Sequence, residues 1–299
     1  MTKITANGIE LDYEESGPKD GVPFLFINGF GTQLVGWPHQ FWDTLAAQGL
    51  RVIRYDNRDV GLSQKFDGII PDIRAVSKAV RAGGTPDVPY RLADMAADAA
   101  GLLDALGIES AHIAGASMGG MIAQCVALNH PAKARSLITL FSTTSDPSLP
   151  PSTPEAAKAL TSRPASDSRA AVIDHVVESR KAYASTGWPY DEQHIRKIAG
   201  MAFDRSYYPE GNMRQYAAIL AGPPRTERLK TLNLPALVLH GSADTLIRPD
   251  AGRHTAQCIA GSEFHEIEGW GHDMPLPAIP VVTGLIVPFV RKVEANAKR

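Results

Sequence analysis

Cysteine is nearly absent: of 299 residues, only Cys125 and Cys258 carry a thiol. Two thiols that far apart, each inside an apolar, helical-looking segment, support neither a disulfide framework nor a cysteine-based zinc site, and they suit a reducing, cytoplasmic setting. An excess of one charge is missing too. Thirty basic and 32 acidic side chains give a formal net charge of −2. No basic stretch is dense enough to follow a phosphate backbone, so nucleic acid is not an expected partner. The strongest apolar runs, Val22–Ile27 and Ile279–Val290, fall short of the roughly 18 residues that cross a bilayer, and Pro280, Gly284 and Pro288 interrupt the second. The first seventeen residues hold Glu10, Asp12, Glu14 and Glu15, where an export signal needs a basic flank and an apolar stretch. Neither leader nor membrane span is expected. Cofactor motifs are also lacking: there is no His-Glu-x-x-His, no Gly-x-Gly-x-x-Gly after a strand and no Gly-Lys-Ser/Thr. Asp56 to Asp67 fails as a calcium loop, because Arg58 stands where Asp or Asn is needed and Asp67 where the twelfth-position Glu belongs. Neither a metal nor a cofactor is expected.

What is present, 44% hydrophobic and 21% charged side chains, can bury a full core. Residues 2–16 alternate around Asn7-Gly8, which predicts a β-hairpin. Strand and helix patterns then take turns. The readings are strand Val22–Ile27, helix Phe41–Gln48, strand Leu50–Tyr55, helix Leu92–Leu106, strand Ala111–Ala114, helix Met118–Asn129 and strand Ser136–Phe141. From Ser142 to about Pro224 the rhythm gives way to helical patterns, Ala170–Ala184 and Gly211–Leu220, with no convincing strand. Alternation resumes with Ala236–His240, Ala251–Ile259, Glu263–Ile267 and a last helix from Ile279 to about Glu294, before a short charged end, Lys292–Arg299. The pattern predicts an α/β fold: a mostly parallel central sheet with helices on both faces and one inserted helical segment.

Gly115-Ala116-Ser117-Met118-Gly119 joins a predicted strand to a predicted helix. A serine at the top of such a turn sits on strained backbone, and neighbours without a Cβ let strand and helix approach around it. Its hydroxyl becomes a nucleophile only with a general base, which at neutral pH is best a histidine held by a carboxylate. Among nine histidines, His272 lies in the loop Gly269-Trp270-Gly271-His272 after a predicted strand, whereas His265 lies inside that strand and His240 ends the one before. Asp244, in His240-Gly241-Ser242-Ala243-Asp244, completes the chain order Ser, Asp, His. Asp146, after the preceding strand, is the competing acid; Asp273, beside the base, is expected to point elsewhere. The oxyanion of a tetrahedral intermediate needs two N–H donors. These are assigned to Met118, first in its helix, and to Phe30, between Gly29 and Gly31 in the loop after strand Val22–Ile27. Phe30 and Trp270 are expected to touch the substrate.

Taken in order, Asn28-Gly29-Phe30-Gly31, Asp56-x-Arg58-x-x-Gly61-x-Ser63, Gly115-Ala116-Ser117-Met118-Gly119, Gly241-x-x-Asp244 and Gly271-His272 resemble the α/β-hydrolase superfamily over essentially the whole chain. Gly36-Trp37-Pro38 and Val52–Asp59 are further similar to methylesterases of anthracycline polyketides, the aclacinomycin methylesterase type. Asn28-Gly29 stands where the family commonly has His-Gly, which leaves the backbone donor intact. The resemblance implies a core of residues 1–141 and 226–299 under a helical cap of residues 142–225, and makes Asp56–Ser63 a structural turn near the entrance. It implies a serine carboxylesterase working through an acyl-enzyme on a small to medium, largely apolar ester. A lactonase, a cofactor-free perhydrolase or a carbon–carbon bond hydrolase could use the same apparatus, and a small-molecule receptor is the non-enzymatic alternative. Trp188, Tyr190, Phe203, Tyr207, Tyr208 and Tyr216 in the inserted segment fit either its own core or a pocket lining.

Overall fold

Strands buried on both faces read as unbroken apolar runs, and such runs alternate with helices where a parallel sheet is built from crossovers. The computed structural model describes residues 2–297; Met1 and the last two residues of the charged end, Lys298 and Arg299, lie outside the described residues. Among the described residues there are eight strands: β1 (Thr2–Ala6), β2 (Ile9–Ser16), β3 (Val22–Ile27), β4 (Leu50–Tyr55), β5 (Ala111–Ala116), β6 (Ala134–Leu140), β7 (Ala236–Gly241) and β8 (Glu263–Ile267). They form one sheet in the order β1-β2-β4-β3-β5-β6-β7-β8. β1 and β2 pair antiparallel, as do β2 and β4, and every other pairing is parallel. Asn7 (φ 49°) and Gly8 (φ 76°) supply the two left-handed residues of the hairpin turn.

Alternate residues of each strand face opposite cores. From β3, Leu25 and Ile27 join the core beneath α3 (Leu92–Ala105) and α4 (Met118–Asn129), while Phe24 and Phe26 join that of α1 (His39–Ala47) and α11 (Ile279–Ala297). Each such fully buried side chain contributes roughly 1.5–3 kcal/mol of transfer free energy. In α11 the apolar run reads through Pro280 and Pro288. Pro280 falls in the first turn, where its missing N–H is no loss. With the short turn before it, this helix is long and apolar enough to cross a membrane by length and composition, although half of its apolar stretch is buried within the molecule. That corrects the shorter, interrupted run read from sequence.

Between β6 and β7 the chain forms α5 (Pro154–Thr161), α6 (Arg169–Lys181), α7 (Glu192–Arg205), α8 (Pro209–Leu220) and the short α9 (Thr226–Leu229), with no strand. Two further helices are α2 (Ile73–Arg81), which the sequence reading lacked, and α10 (Pro249–Cys258). Within the inserted segment, α5 and α7 also went unread. Gly200 of α7 faces α6: a Cβ on it would lie 2.7 Å from Nη2 at the tip of the flexible Arg169 side chain.

Candidate active site

Strand β5 ends where α4 begins, and Ser117 sits between them at φ 55°, ψ −122°. A non-glycine residue in that region stores about 1–3 kcal/mol of strain. The flanking glycines permit it. A Cβ on Gly115 would lie 2.2 Å from Gly119 O, one on Gly119 would lie 2.0 Å from Ile27 O, and one on Gly120 would meet Ser142 Cβ at 2.5 Å. The turn is tied down by the Ser117 N–H, which donates to Leu140 O (3.0 Å), and by Ser142 Oγ, which donates to Ser117 O (2.7 Å).

The loop after β7 carries Asp244 and the loop after β8 carries His272, and the two meet with Nδ1 and Oδ2 2.7 Å apart. Asp244 Oδ1 accepts from the N–H groups of Leu246 and Ile247, both at 2.9 Å. Burial alone would raise its pKa, but His272 and the neighbouring His240 outweigh burial and hold the carboxyl down at about 2. Asp244 is therefore ionised throughout the neutral range. His240 is buried, donates Nε2–H to Ile247 O (2.8 Å) and lies 3.5 Å from Asp244 Oδ2, so it braces the acid and stays out of the cavity. Asp146, the competing acid, is bound to Ser148 and Thr226, and the histidine beside it, at 4.0 Å, is His254 and not His272.

Ser117 and His272 line one cavity of about 150 Å³, together with Phe30. Among the described residues, Asp244 is the one side-chain hydrogen-bond partner of His272, and no hydrogen bond yet joins its ring to the Ser117 hydroxyl. Such bonds are commonly long in unliganded sites. The loop 28–31 lies against the elbow, where a Cβ on Gly29 would be 3.4 Å from Ser117 Cβ. Neither the Phe30 nor the Met118 N–H donates to a protein acceptor among the described residues, whereas the next one along the loop, Gly31 N–H, is taken by Gln215 Oε1 (2.9 Å). Asn28 supports the loop from below: its Nδ2 donates to Tyr55 O (2.9 Å), and its own carbonyl accepts from Asn57 Nδ2 (2.9 Å).

Trp270 is corrected. It is fully buried in the core of α1 and α11, packs on Phe141 with ring centres 5.0 Å apart, donates Nε1–H to Asp273 O (2.8 Å), and does not line the cavity. The backbone at Trp270 comes close to the end of β7 because Gly241 has no side chain: a Cβ there would lie 1.9 Å from Trp270 O. Asp273 lines the cavity, with its Oδ1 accepting from Ser185 N (3.1 Å) and Ser185 Oγ (2.5 Å). Among the wall residues that sequence reasoning missed are Phe141, Tyr183 and His194. Phe141, just past β6 at φ 36°, lies 4.6 Å from the His272 ring. Tyr183 gives its carbonyl to the His272 N–H (2.7 Å), and His194 faces the same space. Only the positive φ of Phe141 marks it, and backbone angles are not written in one sequence. Of the inserted aromatics, Trp188 and Tyr190 line this cavity, while Phe203, Tyr207 and Tyr208 line a neighbouring one. Tyr216 packs near Phe30, 6.1 Å between ring centres.

The turn Asp56–Ser63 binds the inserted helices to the sheet. Arg205, ending α7, pairs with Asp56 (2.6 Å) and Asp12, and Arg214 of α8 pairs with Asp59 (2.8 Å), all with side chains at most 9% exposed. Arg58 pairs with Asp98 of α3 (2.6 Å).

Comparison with known proteins agrees with this fold. The family model described as alpha/beta hydrolase fold matches residues 22–277. Rhodomycin D methylesterase DauP of Streptomyces sp. (strain C5) is 26% identical over 294 residues, covering 91% of this chain and 92% of that one. Among solved structures, a thermophilic esterase from Thermogutta terrifontis matches at TM-score 0.70 and 28% identity over 98% of both chains. The enol-lactonase from Burkholderia xenovorans LB400 matches at TM-score 0.72 and 22% identity, over 97% of this chain and 100% of that one.

Proposed function

Since the chain belongs to the α/β-hydrolase family, we propose that it is a serine hydrolase of carboxylic esters, with Ser117 as nucleophile, His272 as general base and Asp244 as the acid that orients it. The observation that carries the reading is the 2.7 Å contact of His272 Nδ1 with an ionised Asp244, in the wall of the cavity that Ser117 enters from its strained turn.

In this reading Ser117 Oγ attacks the ester carbonyl carbon while His272 Nε2 takes its proton. The carbonyl π electrons move onto oxygen, where the N–H groups of Phe30 and Met118 receive the negative charge. As the tetrahedral centre collapses, His272 returns the proton to the departing alcohol. Water, deprotonated by the same histidine, then releases the acid and restores Ser117. Asp244 stays anionic and keeps His272 in the tautomer that leaves Nε2 free to accept. The helices of residues 142–225 act as the cap over a core of residues 1–141 and 226–299. The methylesterase DauP and the Thermogutta esterase support an ester over the lactone and carbon–carbon alternatives. The first cavity, walled by Phe30, Phe141, Trp188 and Leu246, suits a small to medium, largely apolar molecule.

The test is hydrolysis of a panel of methyl and longer-alcohol esters between pH 5 and 9, with and without a chelator and with folding followed in parallel. Because Asp244 is already ionised, the rate should rise with pH through one ionisation of a histidine base, and chelation should change nothing. A receptor would bind such molecules with no turnover at any pH.

A further inference from the structure

A second cavity, of about 190 Å³, lies beside the first between α6, α7 and α8. The two share Thr32, Gly36, Arg180 and Ile198 as a common wall. Ser117 and His272 reach only the first chamber, and the second is faced by Val172, Ala202, Phe203 and Tyr207.

Arg180, in the last turn of α6, is the cation at this junction. It is half-buried, and among the described residues its guanidinium has neither an ion-pair nor a hydrogen-bond partner. Four other arginines of the inserted segment have carboxylates, Arg169 with Asp204, Arg196 with Asp174, Arg205 with Asp12 and Asp56, and Arg214 with Asp59, and buried Arg225 is hydrogen-bonded to Gln124, Thr143 O and Ser145. The two carboxylates of the first chamber are occupied elsewhere. Asp273 accepts from Ser185, and Asp191 caps α7 by accepting from His194 N (3.0 Å). Asp273 attracts the Arg180 charge across the first chamber but takes its hydrogen bonds from Ser185, so the half-buried guanidinium gains most from an anionic oxygen that it can meet with two N–H groups.

We propose that the two chambers form one elongated substrate site, and that Arg180 at their shared wall binds an anionic oxygen of the substrate, a carboxylate or an ionised enol or phenol, remote from the ester carbonyl. The substrate class is then an elongated acidic ester. This rests on the ester-hydrolase reading, so its test separates the two.

Monomethyl esters of straight-chain dicarboxylic acids of graded length, each beside the uncharged methyl ester of equal length, serve as probes for the wild-type chain, Arg180→Gln, Arg180→Lys and Ala202→Trp. The wild type should favour the half-ester of one length by about tenfold or more in kcat/KM. Arg180→Gln should erase that preference, its half-ester and uncharged series running at the same rate for each length, and Arg180→Lys should keep part of it. Ala202→Trp, which fills the second chamber alone, should slow the longer half-esters and spare the shorter. No charge preference, or equal losses on both series, would overturn the role of Arg180, and equal rates at every length would remove the second chamber from the site. Calorimetry of the free dicarboxylic acids with Ser117→Ala and with Ser117→Ala/Arg180→Gln needs no turnover. Acid binding that depends on Arg180 without cleavage of any ester would sink the ester reading and leave this one standing; cleavage indifferent to Arg180 would do the reverse.

Discussion

At the scale of single residues, the reading from sequence was strongest where chemistry demands an unusual backbone. Ser117 was recognisable because glycine stands at 115 and 119, where a Cβ would meet Gly119 O and Ile27 O and the strained turn leaves no room for one. Gly119→Ala should therefore remove ester hydrolysis, since its methyl group needs the space of a strand carbonyl 2.0 Å away; rates measured beside a circular dichroism spectrum check this. Asp244→Asn should lower kcat by roughly 10³–10⁴ with the fold intact, because the amide leaves His272 in the wrong tautomer. Asp146→Asn, whose carboxylate serves Ser148 and Thr226, should change kcat little. The opposite ranking in steady-state kinetics would move the acid to β6. Trp270 shows where sequence reasoning ran out: it stands two residues before His272, yet the loop turns its indole into the core, where Nε1–H donates to Asp273 O.

At the scale of elements, the buried strands were legible almost to the residue, because a strand covered on both faces has to be apolar throughout. Helices α2, α5 and α7 were not. Only Val76 of α2, Ala156 of α5, and Ile198, Ala199 and Gly200 of α7 are buried, too few to write a 3.6-residue stripe. Buried charge fastens the inserted segment instead, through Arg205 at the end of α7 and Arg214 of α8. Arg214 and Asp59 are 1% and 0% exposed at 2.8 Å, so removing either partner strands the other without water. Arg214→Met should destabilise the chain by about 3–5 kcal/mol in denaturant unfolding. A loss under about 1 kcal/mol, the size of an exposed pair, would contradict that account of how the inserted helices are held.

For the whole molecule, acid is the condition that should take the sheet apart. His112 is fully buried on β5, with Nδ1 2.7 Å from Ser136 Oγ of β6 and Nε2 3.2 Å from Glu294 of α11. Burial dominates over Glu294 and depresses its pKa from the usual 6.5 to about 4. The folded chain thus holds His112 neutral where the unfolded chain protonates it. Its contribution is fully present above about 6.5 and is lost as pH falls toward about 4. Unfolding temperature should drop across that interval and drop less in His112→Gln. Asp244, depressed from 3.8 to about 2, adds its own loss only below that window.

The central claim is that Ser117 is the activated nucleophile of an ester hydrolase, and reaction with a fluorophosphonate tests it most directly. Intact mass and peptide mapping, taken as ester hydrolysis declines, should show one adduct per chain, on Ser117, and none on folded Ser117→Ala, which should itself be inactive. Hydrolysis lost with Ser117 bare and the label on another residue, or full hydrolysis by Ser117→Ala, would contradict it.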